Sequence, residues 1–196
     1  MKCIAFFDFD GTITTKDTLF EVIKHHKGKA KFFTGLLVSA PILIGLKIKL
    51  ISNQRAKETI LRYFFRGTEL SAFQLKCDDF ATALLPAIIR PGALEEVKKL
   101  KESGFEVIVV SASAENWIKS WADKMEIGLI STQLETINDK LTGNIAGKNC
   151  NGEEKATRIR SIYNLAEFDE IYCYGDSNGD KQMLALGTKT FYKPFR

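Results

Sequence analysis

The sequence predicts an α/β fold: a doubly wound, mostly parallel, Rossmann-like sheet with an inserted all-helical unit. Three observations carry this. Three nearly continuous apolar, β-rich runs, Cys3 to Phe7, Phe105 to Val110 and Ile171 to Tyr174, each end in small or acidic polar residues, as strands covered on both faces require. Between them lie segments with apolar residues three and four apart. The alternation fails only from about Asp17 to Pro86, where every legible pattern is helical.

The elements follow in order. Cys3 to Phe7 is the first strand and runs straight into DFDGT. The helical insert comes next. PGALEEVKKLKESG then starts a helix with Pro91 in the first turn and stops it at Gly104. Phe105 to Val110 is a strand ending at Ser111, and AENWIKSWADKM is the helix after it. Weaker strands are expected near Gly128 to Ser131 and Thr188 to Tyr192, with Asn138-Asp139 as a hairpin turn. GEEKATRIRSIYNL is helical and leads to the strand Ile171 to Tyr174. The predicted boundaries are a core of 1–16 and 87–196 and a helical cap of 17–86.

Composition bounds the function. The chain has 196 residues, 45% hydrophobic and 27% charged, enough for one ordinary core and unlike a disordered or fibrous chain. Cys3, Cys77, Cys150 and Cys173 form no CxxC or Cys/His pair, so a zinc site or disulfide framework is not indicated and a cytoplasmic location is expected. The net charge of +4 is uneven: residues 17–86 hold 11 Lys+Arg against 6 Asp+Glu, the remainder 17 against 18. Despite that excess no nucleic-acid-binding module is recognisable, and no nucleic-acid partner is expected. The sequence does not specify an oligomeric state.

The 15 residues from Phe32 to Leu46 are uncharged. As a helix they would reach about 22 Å, short of the roughly 30 Å hydrocarbon core, and they read as a buried or interfacial helical hairpin. Flanked by Lys27, Lys29, Lys31, Lys47 and Lys49, this stretch would suit peripheral contact of the cap with an anionic membrane; the alternative is a cap that packs its own core. His25 and His26, among lysines, are expected to be exposed rather than ligands.

Four pieces carry chemistry. Asp8 and Asp10 stand two apart at a strand end before Gly11; two such carboxylates repel unless a cation sits between them, and oxygen-only ligation favours Mg²⁺. GDSNGD brings Asp176 and Asp180 to another strand end. Ser111 ends a strand before a helix, where a hydroxyl and free amides can cradle an anion. Lys155 occupies the first turn of a helix, unfavourable for a cation unless an anion is near; Lys148 competes for the same role. Each piece also has a structural reading, as turn, cap or solvated lysine.

In this order the pieces resemble the haloacid dehalogenase superfamily, whose pattern is DxDGT, a strand-terminal Ser/Thr, a Lys and GDxxxD. The helical insert looks like the cap of the branch that contains phosphoserine phosphatase, which has a substrate-facing Glu where this chain has the shorter Asp17. The resemblance implies a phosphatase acting on a small phosphorylated substrate. In that reading Asp8 is the nucleophile that becomes an aspartyl-phosphate and Asp10 the general acid/base. Mg²⁺ would lie among Asp8, Asp10 (through its backbone carbonyl), Asp176 and Asp180. Gly11, Thr12, Ser111 and Lys155 would contact the phosphoryl group, with Asp17 on the substrate side; the helical wheel, not the resemblance, adds Arg55 as a substrate-binding candidate. Arg55, Arg62 and Arg66 share one helical stripe that either meets an anionic substrate or headgroup or is simply solvated. A phospholipid-headgroup phosphatase at the membrane surface is the alternative within the same chemistry. A phosphoaccepting signalling module is the alternative of another class, disfavoured by motif order and by the insert.

Overall fold

The structure is a computed structural model that describes residues 1–48 and 50–196; Lys49, one of the flanking lysines, lies outside the described residues. Five strands, β1 (Cys3–Phe7), β2 (Phe105–Ala114), β3 (Gly128–Thr132), β6 (Glu170–Gly175) and β7 (Lys189–Tyr192), form one sheet in the order β3-β2-β1-β6-β7. Every pairing in it is parallel. The two short strands β4 (Leu134–Ile137) and β5 (Lys140–Ile145) form a separate antiparallel hairpin. Its turn is Asn138-Asp139, both at positive φ (49° and 58°), the two-residue geometry that matches strand twist.

The apolar runs are continuous because both faces of the sheet are covered. Phe7 aligns with Val109 and Tyr174, and Phe6 with Ile108 and Cys173. Ala5, Phe7, Val107, Val109 and Tyr174 point into one core with α5 (Pro91–Glu102) and α6 (Glu115–Met125). Ile4, Phe6, Ile108, Val110 and Cys173 point into the other with α7 (Glu153–Ile162) and α8 (Lys181–Leu184). Burying each large side chain contributes about 1.5–3 kcal/mol. The chain winds from β1 through β2 to β3, then crosses back to β6 on the far side of β1. Loops following β1 and β6 therefore diverge around a crevice at the carboxyl edge, the usual ligand site of such sheets.

The insert leaves and rejoins the core at one place, where Thr14 bridges Ile89, Thr15 N donates to the Ile88 carbonyl (2.7 Å) and Arg90 N to that of Ile13 (2.8 Å). Between these points lie α1 (Thr18–Lys27), α2 (Lys29–Lys47), α3 (Asn53–Phe65) and α4 (Leu70–Ala83). The β4–β5 hairpin joins this helical unit, since Gly67 N and Leu141 N exchange bonds with the Leu141 and Thr68 carbonyls.

Two expectations are corrected. Phe32 to Leu46 is not a hairpin but part of one 19-residue helix. Its glycines face inward for packing: a Cβ on Gly35 would lie 2.0 Å from the Phe64 ring. Pro41, on the exposed side, forgoes one backbone bond without ending the helix. His26 is buried (9% exposed) among Phe65, Phe73 and Cys77, because it falls on the apolar side of α1 with Val22 and Ile23. Burial pushes its imidazole down to about 4, helped by Lys76, His25 and Lys27.

Candidate active site

The crevice is built from four chain segments. β1 ends in Asp8, whose N–H is still held by the Tyr174 carbonyl of β6 (2.9 Å). The next residues, Phe9–Ile13, form an irregular turn in which Gly11 has φ +85°. A Cβ at Gly11 would lie 2.6 Å from an Asp176 oxygen, so only glycine lets the two acidic loops meet. At the end of β6, Asp180 closes a capping box with Ser177, accepting from the Ser177 amide (2.9 Å) and hydroxyl (2.8 Å).

Lys155 comes from the first turn of α7 and is 1% exposed. Its Nζ lies 2.5 Å from Asp8 Oδ1 and 2.7 Å from Asp180 Oδ1, which explains a cation at an unfavourable helix end. Burial pulls this ammonium down, but the two carboxylates outweigh it and hold it above the usual lysine value. Asp180 is lowered: burial opposes this, and the Lys155 charge and the Ser177 bonds win. For Asp8 burial wins over Lys155, and the neighbouring Asp180 adds to it, raising the group to about 7. One lysine thus compensates Asp180 fully and Asp8 only in part. Lys148 is exposed, and its carbonyl accepts from Arg158 (2.7 Å); of the two lysines, Lys155 reaches the cluster.

A divalent cation fits the remaining charge. Asp8, Asp176 and Asp180 each offer an oxygen, all within 4.8 Å of one another, and this hard, anionic donor set suits Mg²⁺ or a similar ion. The Arg196 guanidinium contacts Asp176, a cation already drawn to the same charge. The Asp10 carboxylate stands apart from this trio. Its Oδ1 accepts from the Thr18 amide (2.7 Å) and its Oδ2 from the Ser113 hydroxyl (2.5 Å). Behind these donors, Thr18 Oγ1 and Ser113 Oγ are 3.0 Å apart and the Trp117 indole N–H donates to Thr18 Oγ1 (3.0 Å). Asp10 is thereby fixed in direction, which a group passing a proton to a bound molecule would require.

Thr12 donates its hydroxyl to Asp8 Oδ2 (3.0 Å), while the Gly11 amide points to Thr14 Oγ1 (3.3 Å). Ser111 does not end its strand as expected, since β2 runs on to Ala114 past an irregularity in its pairing with β3; it is fully buried, and its Oγ accepts from the Ser113 amide (3.0 Å), leaving its own proton for another acceptor. Asp17 caps α1 by accepting from the Leu19 amide (3.0 Å). It is exposed at its surface, yet partial desolvation and the Asp10 charge raise it to about 6 against the pull of Lys57. Arg55 is exposed at the start of α3, and no side-chain contact brings it to the cluster.

Lys57, two residues on, is the cap cation that enters the crevice. Its Nζ donates to the Ala112 carbonyl (2.7 Å) and to Asn149 Oδ1 (3.3 Å). Burial lowers its ammonium although Asp10 and Asp17 favour the charge. Asn149 is 6% exposed and its Nδ2 has no partner among the described residues, a donor free for an incoming acceptor. Sequence reasoning passed over Lys57, Asn149 and Ser113. The helical wheel favoured the arginine stripe, and only the packing of α3 on β5, which lets Lys57 reach the Ala112 carbonyl, distinguishes Lys57; the second Ser of SAS was the legible hint for Ser113.

Three comparisons set the chain beside known proteins. A family model described as haloacid dehalogenase-like hydrolase matches residues 5–185. Protein CicA of Caulobacter vibrioides is 30% identical over 192 residues, covering 97% of this chain and 85% of its own. A crystal structure of a protein with unknown function from Bordetella pertussis Tohama I superposes with a TM-score of 0.84 at 19% identity, covering 97% of this chain and 89% of that one. A substrate-bound phosphoserine phosphatase complex gives 0.71 at 16% identity, covering 98% and 86%. These last two likenesses concern the fold.

Proposed function

The chain belongs to the haloacid dehalogenase-like hydrolase family, and from that membership we propose that it is a divalent-metal-dependent phosphomonoesterase acting through an aspartyl-phosphate on Asp8. The observation that carries this reading is the buried Asp8–Lys155–Asp180 cluster beside an independently anchored Asp10. One carboxylate is held beside cationic charge, where a phosphoryl group can be neutralised. The other is held by two donors, where it can pass a proton.

In the first step the Asp8 carboxylate attacks phosphorus in line as the bond to the leaving alcohol breaks, and Asp10 gives that alcohol its proton. In the second, water gives a proton to Asp10 and attacks the same phosphorus; the acyl-phosphate bond breaks, releasing phosphate and the Asp8 carboxylate. Lys155 and Ser111 are placed to balance charge on the phosphoryl oxygens, the main source of catalysis in phosphoryl transfer. Asp8, Asp176 and Asp180 would hold the metal, with the Asp10 carbonyl as a further oxygen. Bound there, Mg²⁺ would supply fixed positive charge for the phosphoryl oxygens. Lys57 and Asn149 meet whatever the phosphate is attached to, and Lys57 also ties the cap to the core, which keeps bulk water out.

Phosphate release from a panel of phosphomonoesters, with Mg²⁺ or with EDTA, tests the proposal. Turnover that needs the metal and is lost in Asp8→Asn is expected. Undiminished release by Asp8→Asn would falsify the assignment of the nucleophile.

A further inference from the structure

α2 is apolar all round, yet among the described residues only one of its faces has a partner. Phe32, Gly35, Ser39 and Gly45 are buried, with Gly35 against Phe64 and Tyr63 of α3 and Gly45 against Ile51. On the opposite side Phe33, Leu37, Val38 and Ile44 are 58–76% exposed, and Ile48 and Leu50 continue the stripe at 58% and 80%. Phe33, Leu37, Pro41, Ile44 and Ile48 recur three and four apart, so they line one edge about 22 Å long. A soluble helix places charge on its outer face; α2 places none there between Lys31 and Lys47.

Along this stretch of chain, charge flanks the apolar run and has one sign. No Asp or Glu occurs between Glu21 and Glu58, while that interval holds eight Lys and Arg residues. Lys29, Lys31 and Lys47 are exposed at the two ends of α2. A second copy seated on this face would bring lysine rims together with no acid to meet them. An anionic bilayer offers what both parts require, an apolar interior for the stripe and phosphate charge for the rim.

We infer that the exposed face of α2 seats the protein peripherally on a bilayer carrying anionic phospholipid. The helix lies in the interface rather than across it, because its inner face is committed to α3. The chain runs from the stripe into the helix that reaches the site. Leu50 is four residues from Gln54, whose side chain bonds the Gly147 carbonyl (3.2 Å) and the Asn149 amide (3.1 Å), and α3 carries Lys57 into the site from there. Seated this way, the enzyme would draw its phosphomonoester from the lipid surface, a consequence that rests on the proposed hydrolysis; the docking does not.

Sedimentation of the full chain with vesicles of phosphatidylcholine, alone or mixed with phosphatidylglycerol, tests the inference, with wild type and Asp8→Asn run side by side. Binding to the mixed vesicles at low salt, weakened by high salt, is expected for both. Lys29→Gln/Lys31→Gln should weaken it about 25-fold, from about fivefold per lysine at the surface. Leu37→Ser/Val38→Ser should weaken it at least as much, while hydrolysis of soluble p-nitrophenyl phosphate stays at the wild-type rate. Absence of binding at low salt overturns the inference, as does equal binding to uncharged vesicles. So does a concentration-dependent dimer that Leu37→Ser/Val38→Ser dissolves, or membrane association that survives alkaline carbonate. Vesicle binding by a chain that hydrolyses nothing upholds the docking and removes the hydrolytic reading instead.

Discussion

Replacing Lys155 by Met removes the ammonium from a site with almost no water and leaves two carboxylates facing each other. Lys155 is 1% exposed and Asp180 equally so, with Asp8 at 6%. Breaking a buried ion pair by deleting one partner costs about 3–5 kcal/mol. An independent estimate agrees: two unit charges about 5 Å apart, the spacing of this cluster, repel by about 3 kcal/mol at an effective dielectric constant of 20. These describe the same energy and do not add. For a domain of this size the loss corresponds to a melting temperature lower by about 10 °C. Urea denaturation at neutral pH in EDTA reads it directly. The double variant Lys155→Met/Asp180→Asn should recover at least half, because it leaves Asp8 without the Asp180 carboxylate to repel it. Millimolar Mg²⁺ should stabilise Lys155→Met more than wild type, since it neutralises the same oxygens. A single variant within about 1 kcal/mol of wild type in EDTA, or a double variant no more stable than the single, would refute the argument that Lys155 balances both acids.

Three further outcomes are expected. Ser113→Ala removes the hydroxyl that holds Asp10; kcat should fall at least tenfold while urea stability changes by about 1 kcal/mol, and an unchanged kcat would show that the Thr18 amide suffices to aim Asp10. Lys57→Met deletes the cap cation in the crevice; steady-state kinetics should show KM raised about tenfold or more, from the 1.5–3 kcal/mol typical of a charged hydrogen bond, with kcat changed less. His26 has its folded value pushed down to about 4 from 6.5, so between those limits the unfolded chain binds the extra proton. Stability therefore rises with pH across that window, by up to about 3 kcal/mol, and is flat above it for this group. Urea midpoints from pH 4.5 to pH 7 should show the slope in wild type and a shallower one in His26→Phe; equal slopes would exclude His26 as its source.

Much of the core was written locally. Strand positions, the Asn138-Asp139 turn, and the acidic residues at strand ends depend on periodicity and on neighbours a few residues away, which the sequence carries explicitly. Asp8, Asp176 and Asp180 could be expected to meet because parallel strands of one sheet deliver their ends to one edge. Lys155 lies at a helix start as expected, whereas Ser111 stands three residues short of the end of β2, because the strand runs on to Ala114 past an irregularity in its pairing with β3. Asp10 also lies where expected, but the direction of its carboxylate does not follow from its position. It depends on Ser113 and Thr18, residues 103 and 8 positions away.

What the sequence alone determined is the fold class, the helical insert with its basic excess, and the set of acids at the sheet edge, since patterning, turn chemistry and charge are properties of short segments. Tertiary structure decided the rest. It set Lys155 between Asp8 and Asp180 and left Lys148 outside, and it brought Lys57 rather than Arg55 into the crevice. It buried His26, ran α2 unbroken through Pro41, and left one apolar side of that helix facing outward. Each of these turns on which face of a helix meets another element. A helical wheel gives the faces but not the neighbour, and burial, pairing and pKa are properties of the neighbour.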